Sequence, residues 1–150
     1  MQSLREDKGY SYGFRSGFSG DRRTGHFTLG GAVRANVTLE AAGLARDIVR
    51  DYGASFTAED LETTRESMGK RRALAFETPG AKLGILAAIG DHGLAPDFLR
   101  LEAEQTRDIS LEQVRDLADR HLRTGAMHYV VVGDAATQAG RLEALGYGPV

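Results

Sequence analysis

The sequence predicts an α+β domain in which helices form one layer and pack against a mostly antiparallel sheet. Near the start, alternating apolar residues indicate two strands joined by the glycine-bounded turn Gly20–Gly25. Six later stretches have apolar residues at helical spacing, and a compact apolar run at Met127–Val132 indicates a third strand. A hairpin followed by helices and one late strand predicts a two-layer arrangement of helices against a mostly antiparallel sheet.

The first predicted strand has aromatic residues at even spacing, which a strand places on one face. These residues are Tyr10, Tyr12, Phe14 and Phe18. The second strand is expected from His26 to about Ala35, where Gly30-Gly31 interrupts the alternation. The glycine pair indicates either a bulge that twists the sheet or the close approach of another backbone, such as a peptide strand. Both interpretations remain open from the sequence.

The helices are predicted from apolar spacing and from residues typical of helix ends. Thr38 is the expected N-cap of the first helix and Gly53 its end, while Thr57 opens a second helix that should run to about Phe76. The remaining starts are Thr78-Pro79, Pro96, Ser110 with Gln113 in a capping box, and the stretch after Gly133-Asp134.

Composition limits the classes of function. One hundred and fifty residues predict a single domain over 1–150, able to bury roughly 70% of its unfolded surface. With 19 basic and 21 acidic residues the formal charge is −2, which predicts neither nucleic acid nor an anionic membrane as a partner. The absence of cysteine excludes disulfides, thiolate zinc sites and cysteine nucleophiles. Nothing in the sequence identifies a compartment.

The most specific motif is Leu4–Tyr12, which reads Leu-Arg-Glu-Asp-Lys-Gly-Tyr-Ser-Tyr. It resembles the motif that opens the C-terminal-half strand of the insulinase/pitrilysin family of zinc metallopeptidases, the inverzincins that include mitochondrial-processing-peptidase-like proteins. In that family an Arg and the Tyr seven positions later form the R/Y pair, and the resemblance places this pair at Arg5 and Tyr12. The order of elements is similar over nearly the whole chain.

The resemblance implies catalytic and substrate-binding roles for Arg5 and Tyr12. Both side chains are hydrogen-bond donors, and they would hold a peptide carbonyl and stabilise its oxyanion. Tyr10, on the same predicted strand face, is the second choice for the phenol and a further substrate-binding residue. The zinc would be held by another domain or subunit of the same family, so this chain would be inactive alone. The strand and helix that normally precede the motif are not in this sequence, and we therefore expect it to be part of a longer protein.

The residues themselves predict no metal or other cofactor in this chain. Its four histidines, none at the three-to-five spacing of a zinc motif, are His26, His92, His121 and His128. The sequence also lacks His-x-x-Glu-His, Gly-x-Ser-x-Gly and a glycine loop between strand and helix.

Two other functions stay open. The chain could be a non-catalytic structural or peptide-holding subunit of the same fold. It could also be an unrelated α+β binding module, in which Arg5 would lie far from Tyr12.

Overall fold

The computed structural model of the protein describes residues 11–148, without the side chains of Ser11, Tyr12 and Ala73. This part of the chain contains one two-stranded antiparallel sheet and is otherwise rich in helix, which confirms the predicted fold class. The strands are β1 Ser11–Gly20 and β2 Gly25–Val33, and the helices are α1 Thr38–Arg50, α2 Tyr52–Ser55, α3 Ala58–Leu74, α4 Pro79–His92, α5 Phe98–Asp108, α6 Leu111–His121 and α7 Ala135–Leu142. No helix in the described range is long and apolar enough to cross a membrane.

The chain divides into two compact units. Unit 1 contains the residues up to Ser19, His26–Tyr52 and the residues from Arg120 onward. Unit 2 contains Gly20–Gly25 and Gly53–Asp119. The single domain expected over residues 1–150 stays a prediction.

The core of unit 1 forms where α1 packs on the hairpin. Ala41 is 1% exposed and Ala45 is 8% exposed, and both lie on the face of α1 that meets the sheet. Their short side chains let the helix approach the strands closely. The partly buried residues packed around them are Phe14, Leu29, Val33, Leu44 and Ile48. This contact is the two-layer arrangement that the sequence predicts.

In unit 2, arginine side chains donate hydrogen bonds to backbone carbonyl oxygens at a helix end and in a loop. Arg115 in α6 donates to the Phe56 carbonyl oxygen from Nη2 at 2.9 Å and from Nε at 3.3 Å. Arg65 in α3 donates from Nε to the Thr106 carbonyl oxygen at 3.3 Å and from Nη2 to that of Ile109. These bonds connect elements that are far apart in sequence and satisfy acceptors at the end of α5.

Three predicted helix starts are confirmed in atomic detail. Thr57 and Asp60 form a reciprocal capping box, in which the Asp60 amide donates to Thr57 Oγ1 at 3.1 Å and the Thr57 amide donates to Asp60 Oδ2 at 2.9 Å. The Thr57 hydroxyl also donates to this carboxylate, and these bonds hold the pKa of Asp60 below its usual value. The other two caps are Thr78, which accepts from the Ala81 amide, and Ser110 with Gln113.

The predicted N-cap at Thr38 is wrong. A 3₁₀ turn over Ala35–Val37 leads directly into α1, so Thr38 is already the first helical residue. Its hydroxyl therefore lies near carbonyl groups of the preceding turn and donates to that of Ala35 at 3.1 Å.

The predicted third strand at Met127–Val132 is also wrong for the described residues. No strand is formed there, although Met127 has φ −90° and ψ 146° and Asp134 has φ −73° and ψ 102°, both in the extended region. A strand requires a hydrogen-bonded neighbour, and the described sheet holds only β1 and β2.

Thr57→Ala tests the capping box of α3. We expect the free energy of unfolding to fall by about 1 kcal/mol, because one amide of the first turn loses its acceptor. Thr63→Ala, an exposed position inside the same helix, is the matched control and should change stability by less than about 0.5 kcal/mol. Urea denaturation of both variants measures the difference, and equal stabilities would contradict a structural role for the cap.

Candidate functional site

The structure leaves the predicted R/Y pair untested. Arg5 and Tyr10 lie outside the described residues, and Tyr12 is described only as part of the backbone of β1. The donation of two hydrogen bonds to one peptide carbonyl by Arg5 and Tyr12 therefore stays a prediction. The described residues instead show a groove in unit 1 that the sequence did not predict.

The groove has a volume of about 880 Å³ and is lined by β2, α1 and the segment Met127–Gly133. Ala41, Ala45 and Val49 of α1 contribute an apolar surface that is itself buried. Ala41 and Ala45 also pack against the hairpin, so the same helix covers the sheet and lines the groove.

Two consecutive runs of residues line the groove. Every residue from His26 to Val33 lines it, and every residue from Met127 to Asp134 lines the opposite side. Within the described sheet, β2 pairs with β1.

The two glycines of β2 have different surroundings. A Cβ at Gly31 would lie 2.7 Å from the Gly13 carbonyl oxygen and 2.9 Å from the Phe14 ring, so the close approach at this position is by β1 itself. A Cβ at Gly30 would have no atom within 4 Å. Neighbouring backbone therefore accounts for Gly31, while Gly30 faces open space and lines the groove.

The far side of the groove is apolar and strongly exposed. Val130 is 84% exposed, Val131 43% and Val132 96%. Three consecutive β-branched residues are typical of a strand that is packed on both sides. The sequence signal for a strand is thus present here, without a neighbouring strand in the described part of the chain.

Gln138 of α7 supplies a buried acceptor at the groove. The residue is 8% exposed, and its Oε1 has no hydrogen-bond partner within the described residues. A buried unsatisfied acceptor costs about 1–3 kcal/mol. Gln138 follows Ala135 by three positions and precedes Leu142 by four, so it lies on the apolar face of its helix. That isolated polar residue is a sequence signal that our sequence analysis missed.

Basic side chains predominate among the ionisable residues around the groove, which are His26, Arg46, His121, Arg123, His128, Tyr129 and Asp134. Arg46 is paired with Asp47 at 2.8 Å, and Asp134 caps α7 by accepting from the Ala136 amide at 3.1 Å. Arg123 is exposed and makes no ion pair in the described range. Among the described residues, no three His, Asp or Glu side chains converge as metal ligands would.

Tyr129, within Met127–Gly133, stacks on Tyr147 near the C-terminal end of the described residues. The rings of Tyr129 and Tyr147 are parallel within 7° with centroids 3.7 Å apart, and the Arg46 guanidinium lies 5.7 Å from the Tyr147 ring centroid. The Tyr129 hydroxyl donates to the Thr124 carbonyl oxygen at 3.2 Å. Burial, and after it the hydrogen bond and charge of Tyr147, raise the pKa of Tyr129 to about 12.

Comparisons with known proteins identify the fold. No protein-family model and no curated protein matches the chain. Among solved structures it is similar to the crystal structure of a peptidase M16 inactive domain from Pseudomonas fluorescens, with a TM-score of 0.74 and 24% identity over 83% of this chain. The match covers 30% of that structure's chain. This likeness shows that the chain has an M16-type fold, as the motif resemblance implied.

Gly31→Ala and Gly30→Ala test the close approach between the strands. We expect Gly31→Ala to lower the free energy of unfolding by about 1–3 kcal/mol, because its Cβ would overlap the backbone of β1. Gly30→Ala should leave stability unchanged or raise it by up to about 1 kcal/mol, since alanine loses less entropy in a strand. Denaturation midpoints provide the comparison, and equal effects at the two positions would contradict the described packing.

The raised pKa of Tyr129 predicts a loss of stability at high pH. Between pH 10.0 and about 12 the unfolded chain ionises Tyr129 while the folded chain keeps its proton, so the free energy of unfolding falls as pH rises. Tyr129→Phe should reduce that slope, and Tyr147→Phe should lower the pKa of Tyr129. Tyrosinate absorbance during a pH titration measures the ionisation, and a Tyr129 transition near pH 10 would contradict the burial of its hydroxyl.

Proposed function

We propose that this chain is a zinc-free, substrate-holding domain of an M16-type metallopeptidase, in which a partner domain or subunit of the same family supplies the zinc. The observation that carries the proposal is the fold likeness to a domain described as a peptidase M16 inactive domain. The Leu4–Tyr12 motif supports it independently, because its last two residues, Ser11 and Tyr12, begin β1, and the resemblance expects the R/Y pair in a motif that opens a strand.

In this proposal Arg5 and Tyr12 act on the substrate as donors. An arginine guanidinium is always charged and offers five N–H groups, and a tyrosine hydroxyl offers one O–H group. Aimed at the same carbonyl oxygen, they orient the peptide and stabilise negative charge as it develops. The zinc, when bound in the partner, polarises the carbonyl and activates water. Its ligands are proposed for the partner because the described residues bring no such set together.

A second candidate is a non-catalytic subunit that holds peptides. The groove of unit 1 favours it, because exposed valines and a buried acceptor can bind a polypeptide without any chemistry. The two candidates differ in whether Arg5 and Tyr12 matter for turnover.

A peptide-cleavage assay distinguishes the two candidate functions. It uses this chain mixed with the zinc-motif-bearing half encoded in the same genome. We expect no cleavage by either half alone and cleavage by the mixture. In the mixture, Arg5→Ala or Tyr12→Phe should lower turnover about 10²–10³-fold with unchanged zinc content, because one donor to the oxyanion is lost.

Arg15→Ala, an exposed arginine on the same strand, is the matched control and should leave turnover unchanged. Tyr10→Phe tests the second choice for the phenol. Wild-type turnover in both the Arg5 and Tyr12 variants would refute their catalytic role and favour the peptide-holding subunit. Cleavage by this chain alone would refute the zinc-free assignment.

A further inference from the structure

We propose that Tyr129 and Tyr147 form an oxidative modification site, at which a one-electron oxidant such as a haem peroxidase with hydrogen peroxide joins the two rings as a dityrosine cross-link. Both residues belong to unit 1. The site does not depend on Arg5, on Tyr12 or on a partner domain, so this proposal and the proposed function can fail separately.

The two rings lie in the arrangement that radical coupling requires. Their planes are parallel within 7° and their centroids are 3.7 Å apart. Aromatic pairs usually are offset or meet edge to face, with centroids about 4.5–7 Å apart, so these two rings overlap more fully than most. Carbon atoms are in contact at about 3.5–4.0 Å, and the π orbitals of the two rings therefore point at each other across the stack.

The hydroxyl groups lie at the same end of the stack. Tyr147 is hydrogen-bonded to the Tyr129 hydroxyl, and this bond contributes to the raised pKa of Tyr129. The ortho carbons flank the hydroxyl-bearing carbon and carry much of the unpaired electron of a phenoxyl radical. Because ortho carbons of the two rings overlie one another, the atoms that would bond are already in a near-attack geometry. Arg46, which is paired with Asp47, restrains the Tyr147 ring from 5.7 Å.

Both electrons can leave through Tyr147. This residue is 37% exposed, whereas Tyr129 is half-buried, so an oxidant reaches Tyr147 and water accepts the proton released with its electron. The Tyr147 radical then takes the hydroxyl hydrogen atom of Tyr129, to which it is hydrogen-bonded. A second oxidation regenerates the radical at Tyr147, and the stack then holds two phenoxyl radicals.

The two radicals combine by forming one carbon–carbon bond between their ortho carbons. The hydrogen on each of these carbons then leaves as a proton, and each phenol oxygen gains a proton, so both rings become aromatic phenols again. In total two protons and two electrons leave the protein. Hydrogen peroxide accepts them and gives two molecules of water.

The composition of the chain favours this reaction at tyrosine. The sequence contains no cysteine and no tryptophan, so its five tyrosines are the side chains that lose one electron most readily. Linking Tyr129 to Tyr147 closes a covalent loop that contains α7, and such a loop lowers the conformational entropy of the unfolded chain, as a disulfide does. The cross-link would therefore fix the C-terminal part of unit 1 under oxidising conditions.

Photochemical oxidation of the 150-residue chain at low concentration tests the proposal. The oxidant is tris(bipyridine)ruthenium(III), generated by visible light and persulfate. Trypsin then separates the two tyrosines, because cleavage after Arg123 and Arg141 places them in the peptides Thr124–Arg141 and Leu142–Val150. We expect mass spectrometry to find these peptides joined, with the loss of two hydrogen atoms, as the main dityrosine product of the monomer. Dityrosine that joins other pairs, or peptides that stay unlinked, would overturn the proposal.

Tyrosine variants identify the residues that are linked. Tyr129→Phe and Tyr147→Phe keep the stacked rings but cannot form a phenoxyl radical at the altered position, so each should reduce the yield of linked monomer at least tenfold. Tyr52→Phe, at a tyrosine that is 41% exposed, is the matched control and should leave the yield unchanged. Undiminished linkage in either of the first two variants would overturn the assignment.

Thermal unfolding of the linked monomer measures whether the cross-link fits the folded chain. A link that forms within the stack closes a loop in the unfolded state without distorting the folded one. We therefore expect the unfolding midpoint to rise by roughly 5–10 °C relative to the unlinked chain. An unchanged or lower midpoint would contradict coupling in the described stack.

Discussion

The packing of Ala41 and Ala45 against the hairpin is the contact on which the rest of unit 1 depends. A two-stranded hairpin is marginally stable by itself and needs a helix or further strands to cover its apolar face. Because alanine has only a methyl group, α1 comes close to Phe14, Leu29 and Val33. The same helix continues beneath the space beside β2, so the contact that stabilises the sheet also forms the apolar surface of the groove.

In unit 2, hydrogen bonds from arginine side chains to backbone carbonyl oxygens connect distant elements. Arg65 and Arg115 donate to backbone carbonyls more than forty residues away in sequence, at positions where α5 ends or a loop passes. A charged donor strengthens a hydrogen bond, and a guanidinium can reach two acceptors at once. The charged face of α3 is therefore more than a solvated surface, because one of its arginines connects the helix to the chain around Thr106 and Ile109.

The fold and the groove contribute different parts of the functional argument. An M16-type fold indicates a class of protein, but folds host many functions, and the roles have to be assigned from particular groups. The groups proposed for such a role are Arg5 and Tyr12, which come from the motif. In the groove, the exposed valines and Gln138 come from the structure.

The sequence by itself determined the features that arise within a few residues. The caps at Thr57, Thr78 and Ser110 were predictable because each joins groups three positions apart, and so were the hairpin and the fold class. Only the tertiary structure decided that Met127–Val132 has no neighbouring strand among the described residues, that Gly31 is crowded while Gly30 is open, and that the Gln138 acceptor is buried. Strand pairing, close approach and burial depend on residues distant in sequence, and no local pattern specifies which of them meet.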